Sequence, residues 1–299
     1  AYHVRNFTFG PDYFIPKPVD PRLITEVSMA VARAAMESGV ARQPIEDWKA
    51  YRQHLRELMG QETKFTQNLY DTARMNPKRV VFAEGTHPTM LEAAVKAKAE
   101  GICHPVLLGN EDQIRHMAEE MDLKISDIEI LNLRNDDQTD RRRRYAEILA
   151  NKMQRKGYTL QEAIDKMYER NYFGMMMVET GEADAFITGL YTKYSNTIKV
   201  ANEVIGIREG YNHFATMHLV NSKKGIYFIA DTLINRHPNE EALEDIARLA
   251  ASTVRFFNRT PVMAMLSYSN FGTDTEGSAA KVQHVIERMH RNYPDLAID

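Results

Sequence analysis

The sequence predicts an α/β protein with two α/β units and mainly parallel sheets, preceded by a helical segment. Three observations predict it. From residue 78 onward, short apolar and β-branched runs alternate with helical stretches at the spacing that parallel strands with helical crossovers require. The alternation returns after residue 183. Before residue 75, helical periodicity occurs without any strand-like run.

Taken in order, residues 1–20 are aromatic- and proline-rich (FTFGPDYFIPKPVDP). Proline lacks an amide donor and clashes with the preceding turn, so neither a long helix nor a central strand fits there. From Pro21, LITEVSMAVARAAMESGV puts Ile24, Val27, Ala30 and Val31 on one stripe and stops at Gly39. Further helices are expected over 44–58 and 62–74, and the main boundary near residue 75. KRVVFAEG (78–85), HPVLLGN (104–110) and IEILNL (128–133) are expected strands, with helices over 88–101 and 111–121 between them. A long charged helical section follows LRNDDQTD. Its Arg141–Arg144 run points in all directions around a helix, so a solvated face with one or two salt bridges is expected rather than a phosphate clamp. Helical signals continue through YTLQEAIDKMYERNYFGMMMVETGEA. ADAFITG (183–189), FATMHLV (214–220), GIYFIADT (225–232) and PVMAMLS (261–267) are the later strands, with a helix over 239–257. Ala1 is not an initiator methionine and the final LAID has the pattern of a buried strand's start, so a piece of a longer polypeptide is expected.

Composition narrows the function class. The 299 residues are 43% hydrophobic and 26% charged, as in ordinary globular proteins. A net charge of −3 gives no global push toward nucleic acid or an anionic membrane, and neither is an expected partner. The most apolar runs, FGMMMV and VMAML, fall well short of the roughly 20 residues of a membrane helix. The single cysteine, Cys103, has no internal disulfide partner, which points to a reducing cytoplasm; beside a strand it reads as a buried inert thiol. Its histidines are scattered, and no structural metal site is expected. Walker, dinucleotide-binding, H-E-x-x-H and G-x-S-x-G signatures are all absent.

Four strand ends open into small polar residues. EGTHPT (84–89) offers Thr86 as a cap for the next helix. TGLYTKYSNTIK (188–199) supplies hydroxyls from Thr192, Tyr194, Ser195 and Thr197, the amide of Asn196 and the cation of Lys199. A helix starting near Ser195 would add its N-terminal amides, so that loop suits a phosphate. ADTLINRHPN (230–239) carries Asp231, Asn235 and Arg236, and SYSNFGTD (267–274) carries Ser267, Ser269, Gly272 and Thr273. In open parallel sheets ligands sit beyond the carboxyl ends of the strands, which makes this set a candidate site.

RVVFAEGTHPTMLEAA, HPVLLGN, YERNYFGMMMVETGEADAFITG, IADTLINRHPNEEALEDIA and VMAMLSYSNFGTDTEGSAAKV with YPDLAID resemble, in order and spacing, the phosphotransacetylase family over residues 78–299. FGPDYFIPKPVDPRLITEVSMAVARAAMESGVARQPI is similar to the end of the NAD(P)-binding domain of large bacterial malic enzymes, which carry such an extension. The resemblance implies two α/β/α domains with a cleft between them. It assigns 1–75 to the helical end of a malic enzyme domain and linker, and 76–299 to the phosphotransacetylase-like part. Within that part, 76–150 form a first subdomain, 151–290 a second, and 291–299 return to the first.

The family moves an acetyl group between coenzyme A and phosphate, and two of its arginines contact coenzyme A. In this chain Met153, before QRKG, and Lys199 stand at those positions. The first change removes a cation; the second keeps a charge but loses the bidentate fork. The resemblance thus implies Thr192, Ser195, Asn196, Lys199, Ser267, Ser269, Gly272 and Thr273 as acetyl-CoA- or phosphate-binding residues, with no complete catalytic set. The resemblance further implies that the family's proposed catalytic aspartate would lie beyond Asp299, and that NADP and a Mg or Mn ion would belong to a malic enzyme domain upstream. Three readings follow: an acetyl-CoA-sensing regulatory domain of a homo-oligomeric malic enzyme, a working phosphate acetyltransferase, and an oligomerisation module.

Overall fold

A computed structural model of the chain describes residues 23–58, 64–222, 224–270 and 273–299. The proline-rich lead-in and Gly272 lie outside these residues. The chain divides into two compact units, residues 1–78 with 96–104, and 79–95 with 105–299.

Within the first unit are α1 (Leu23–Glu37), α2 (Trp48–Leu58) and α3 (Lys64–Met75). The stripe expected to be the buried face of α1 is largely outward, with Val27 and Val31 51% and 62% exposed. The face turned to α2 is instead Glu26, Met29 and Arg33, spaced three and four apart. Arg52 donates from Nε to the Met29 sulfur at 3.1 Å and lies 3.4 Å from Glu26. The Arg33 guanidinium lies 5.2 Å from the Trp48 ring centroid. Long polar side chains thus cover the contact with their apolar stems, which apolar periodicity does not register. At the end of α3, Arg74 Nε donates to the Glu100 carbonyl at 2.8 Å.

The sheet of the second unit runs β3 (Glu129–Leu131), β2 (Cys103–Leu108), β1 (Lys78–Phe82), β4 (Ala185–Ile187), with β1–β4 and β2–β3 parallel. Val81, Phe82 and Val106–Leu108 are buried, as continuous apolar runs covered on both faces must be. Burial also pushes the Cys103 thiol up, as an inert thiol requires. Helices α4 (Pro88–Ala99), α5 (Glu111–Glu120), α6 (Thr139–Met153), α7 (Leu160–Lys166), α8 (Arg170–Glu179) and α9 (Tyr194–Val204) follow the strands. The core gathers Tyr145, Leu149 and Met153 of α6 with Phe173 and Met175–Met177 of α8 and with Val200 and Val204 of α9. Gly174 is required where α8 meets β4, since a Cβ there would lie 2.3 Å from the Phe186 ring.

The Asn110 side chain caps α5, accepting from the Gln113 amide at 2.9 Å. Asn110→Ala should lower stability by about 1 kcal/mol, read by urea denaturation; an unchanged midpoint would deny the cap any weight.

The structure corrects several expectations. The arginine run is not uniformly solvated: Arg142 is 4% exposed, donating to the Leu133 and Asn135 carbonyls at 2.6 and 2.8 Å and to the Thr139 hydroxyl at 2.8 Å. Arg141 and Arg144 pair with Glu182, and Arg143 with Glu147. The strand over 183–189 joins the first sheet as β4, because Ala185 and Phe186 register on Val80 and Val81. FATMHLV and GIYFIADT form an antiparallel hairpin, β5 (Met217–Ser222) and β6 (Gly225–Ala230). Only residues 223 and 224 separate them, too few for a crossover helix. Helices α10 (Glu240–Phe256) and α11 (Gly277–Asn292) pack together, and β7 (Val262–Met263) pairs in parallel with the terminal β8 (Ala297–Ile298), not with the first sheet. Among the described residues no helix is long and apolar enough to cross a membrane.

Candidate functional site

Parallel pairing of β1 with β4 makes residues 83–87 and 188–193 leave the sheet side by side at its carboxyl end. Ala83 donates to the Ile187 carbonyl at 2.9 Å. The next residue, Glu84, is 2% exposed. Its Oε1 accepts from the Thr188 hydroxyl at 2.9 Å and from the amides of Gly189 and Leu190 at 3.1 and 3.3 Å. Gly189 has φ +143°, a conformation that side chains disfavour. The capping role expected of Thr86 falls to His87, whose carbonyl opens α4 and whose Nδ1 accepts from the Thr89 amide at 3.2 Å. The His87 ring meets Tyr191 edge-to-face at 5.3 Å, and the Arg170 guanidinium stands 5.3 Å from the Tyr191 ring centroid.

Helix α9 begins at Tyr194. Lys193 is its N-cap, and an ammonium side chain cannot accept from the free amides; no side-chain cap is present. Ser195 and Asn196 are exposed and Thr192 half-buried. One turn in, the Lys199 side chain is 65% exposed, with Nζ 3.9 Å from Glu203. The Thr197 hydroxyl oxygen is buried and has no hydrogen-bond partner. Open amides, hydroxyls and a cation at one helix start are the elements of an anion site.

Behind this surface, Glu203 is 7% exposed and accepts from the phenols of Tyr158, at 2.7 Å, and Tyr172. Lys166 lies 5.4 and 4.6 Å from those two ring centroids. Burial alone would raise the Glu203 pKa, but the Tyr172 and Tyr158 hydroxyls and the Lys199 and Lys166 charges outweigh it and hold it low.

Of the other two junctions, the third is occupied with itself. Asp231, at φ +48°, accepts from the Thr216 and Asn235 amides at 3.3 and 2.9 Å, while Asn235 donates to the Phe214 carbonyl at 3.0 Å. Arg236 is exposed. Burial and the Asp231 charge raise the Tyr194 phenol. In the fourth, Ser267 Oγ lies 3.2 Å from the Ser269 carbonyl and accepts from its amide at 3.1 Å. Ser269 Oγ lies 3.1 Å from the Thr273 hydroxyl, and Tyr268 donates to Asp274. That bond raises the Tyr268 phenol and lowers Asp274. Among the described residues, the hydrogen bonds of Ser267, Ser269 and Thr273 stay within 267–274. Lys281 of α11 donates to the Pro238 carbonyl at 2.6 Å, tying that region to the third junction.

Met153 is a core residue, 4% exposed, so the position before QRKG presents no cation; Arg155 and Lys156 are exposed. Sequence pattern does not single out Glu84 or His87. The only hint is an acid directly after an apolar strand. Among the described residues no group of three metal-ligating side chains occurs.

Residues 64–299 match the sequence model of the phosphate acetyl/butaryl transferase family. Over its whole length the chain is 39% identical to the NADP-dependent malic enzyme of Salmonella typhimurium, spanning 40% of that enzyme. It is 33% identical to the phosphate acetyltransferase of Thermoanaerobacterium thermosaccharolyticum over 78% of this chain and 72% of that one. A phosphotransacetylase structure from Streptococcus pyogenes superposes with a TM-score of 0.69 at 27% identity, covering 78% of this chain and 71% of the other. With the arrangement of strands, helices and hydroxyl loops described above, these matches show that the chain belongs to the phosphate acetyl/butaryl transferase family.

Proposed function

We propose that this chain is the phosphotransacetylase-like regulatory domain of an NADP-dependent malic enzyme, which decarboxylates malate oxidatively to pyruvate. In this reading the domain binds acetyl-CoA, or a related acyl-CoA, as an allosteric effector and supports a homo-oligomer. NADP and a Mg or Mn ion belong to the malic enzyme domain of the same polypeptide. The observation that carries the proposal is an asymmetry. The open start of α9 with exposed Lys199 keeps the means to hold an anion, whereas Met153 is packed into the core where the resemblance expects an arginine. Binding tolerates a missing cation better than transfer does, because transfer needs both substrates oriented at once. Ser195, Asn196 and Thr192 line the start of α9, and Ser267, Ser269 and Thr273 belong to the second polar loop; Gly272, which the resemblance adds to the set, lies outside the described residues.

Calorimetry with acetyl-CoA on the full-length protein should show saturable binding. Lys199→Glu should weaken it about ten-fold or more and relieve acetyl-CoA inhibition while leaving basal malic activity unchanged. Robust acetyl phosphate formation from acetyl-CoA and phosphate would overturn the regulatory reading in favour of a working phosphate acetyltransferase. Absence of binding at millimolar ligand would leave only a scaffold.

A further inference from the structure

We infer that Glu84 is a positioning residue: its buried carboxylate, helped by the His87 ring, holds residues 188–191 so that the start of α9 and Lys199 face an acyl-CoA phosphate. The inference rests on the acyl-CoA reading above.

A carboxylate at 2% exposure is costly unless donors surround it. In this site one oxygen receives three, the Thr188 hydroxyl and the amides of Gly189 and Leu190. Two successive backbone amides converging on one oxygen make the kind of concavity that binds anions. Glu84 fills that concavity from inside the protein. A ligand anion is therefore excluded from Gly189–Leu190 and must be met further along, at the uncapped amides of α9. His87 belongs to the same turn, three residues on, and holds Tyr191 edge-to-face at 5.3 Å. One short turn after β1 thus grips four consecutive residues after β4. The exposed loop residue Lys193 and the first turn of α9 begin directly beyond that grip.

The second carboxylate oxygen is buried and has no hydrogen-bond partner. Glu84→Gln can therefore keep the single acceptor that all three donors use, and puts an amide nitrogen in place of the second oxygen. Glu84→Ala removes the acceptor itself.

The test follows backbone amide exchange and acetyl-CoA affinity together, on the full chain. In Glu84→Ala the Gly189 and Leu190 amides should exchange about ten-fold faster or more, and acetyl-CoA should bind about ten-fold more weakly. Glu84→Gln should recover much of both, whereas Glu84→Met, which keeps the volume but offers no acceptor oxygen, should not, a difference that simple loss of core packing would not show. Unchanged exchange at Gly189 and Leu190 in a folded Glu84→Ala variant overturns the grip. Faster exchange with unchanged affinity overturns the positioning role. Should Glu84→Ala not fold, His87→Ala and Glu84→Met decide: normal affinity and normal exchange in both overturn the inference. Wild-type chain that binds no acetyl-CoA sinks the acyl-CoA reading and with it the positioning role, while amide exchange still decides the grip.

Discussion

Phe173→Ala is expected to lower the stability of the second unit by about 3–5 kcal/mol, well above the roughly 1 kcal/mol of a typical single substitution. Phe173 is fully buried in the core formed by α6, α8 and α9. Its ring packs edge-to-face on Tyr145 at 5.4 Å, an arrangement that adds to simple burial. Burial and the Glu182 carboxylate push the Tyr145 phenol up to about 12, so this ring stays neutral and in place throughout the ordinary pH range. The hole left by alanine cannot close by moving α8 toward the sheet. The adjacent Gly174 has no room against Phe186, where even a Cβ would sit 2.3 Å from a ring carbon. The unbranched methionines of the same core, Met175–Met177 among them, can adapt to part of the space, which keeps the cost finite. Urea unfolding followed by far-ultraviolet circular dichroism measures it. A loss below about 1 kcal/mol would mean that the core collapses freely and that α8 does not fix its neighbours. Phe173→Leu, which keeps most of the volume, should cost less than about 1.5 kcal/mol.

How much of this architecture is legible in the sequence depends on the range over which each feature is determined. KRVVFA and HPVLLGN announce themselves as strands because a strand covered on both faces needs a continuous apolar run, and that is a local property. Strand composition misassigns the hairpin of β5 and β6 although its signal is present. Two residues between Ser222 and Gly225 exclude a crossover, a stricter constraint than composition. The α1 stripe fails for a different reason: periodicity selects apolar residues, whereas the face toward α2 is built from Glu26, Met29 and Arg33. Of the binding loops, the helix start near Ser195 is readable from its run of hydroxyls. The grip on the preceding loop is not. Glu84 follows an apolar strand as any solvent-facing acid might, and its partners lie 104 to 106 residues later in the chain. Register between β1 and β4 creates that contact, and no local pattern encodes it.

Glu203 carries the second large expectation, and it joins stability to pH. Glu203→Ala should cost about 2–4 kcal/mol at neutral pH. It strands the Tyr158 and Tyr172 hydroxyls that now donate to the carboxylate and leaves Lys166 and Lys199 without their shared counter-charge. The carboxylate is 7% exposed, so solvent cannot simply replace it. Its folded pKa lies below the ordinary 4.5, the hydroxyls and the two lysines prevailing over the opposing effect of burial. A group depressed on folding stabilises fully above its unfolded pKa, and that contribution fades as pH falls through the folded pKa. The advantage of wild type over Glu203→Gln should therefore be constant from neutral pH down to about 4.5 and shrink below it. The two phenols shift the opposite way, raised by burial and by Glu203, so they remain protonated donors throughout the neutral range. Their share is present below the ordinary tyrosine pKa of about 10 and is lost only as pH rises through the raised folded values. The network thus loosens at both extremes and is intact between them. Urea midpoints for wild type and Glu203→Gln across this range test the assignment directly. Curves that stay parallel into acid would show that Glu203 is not the group whose ionisation holds α9 against α7 and α8.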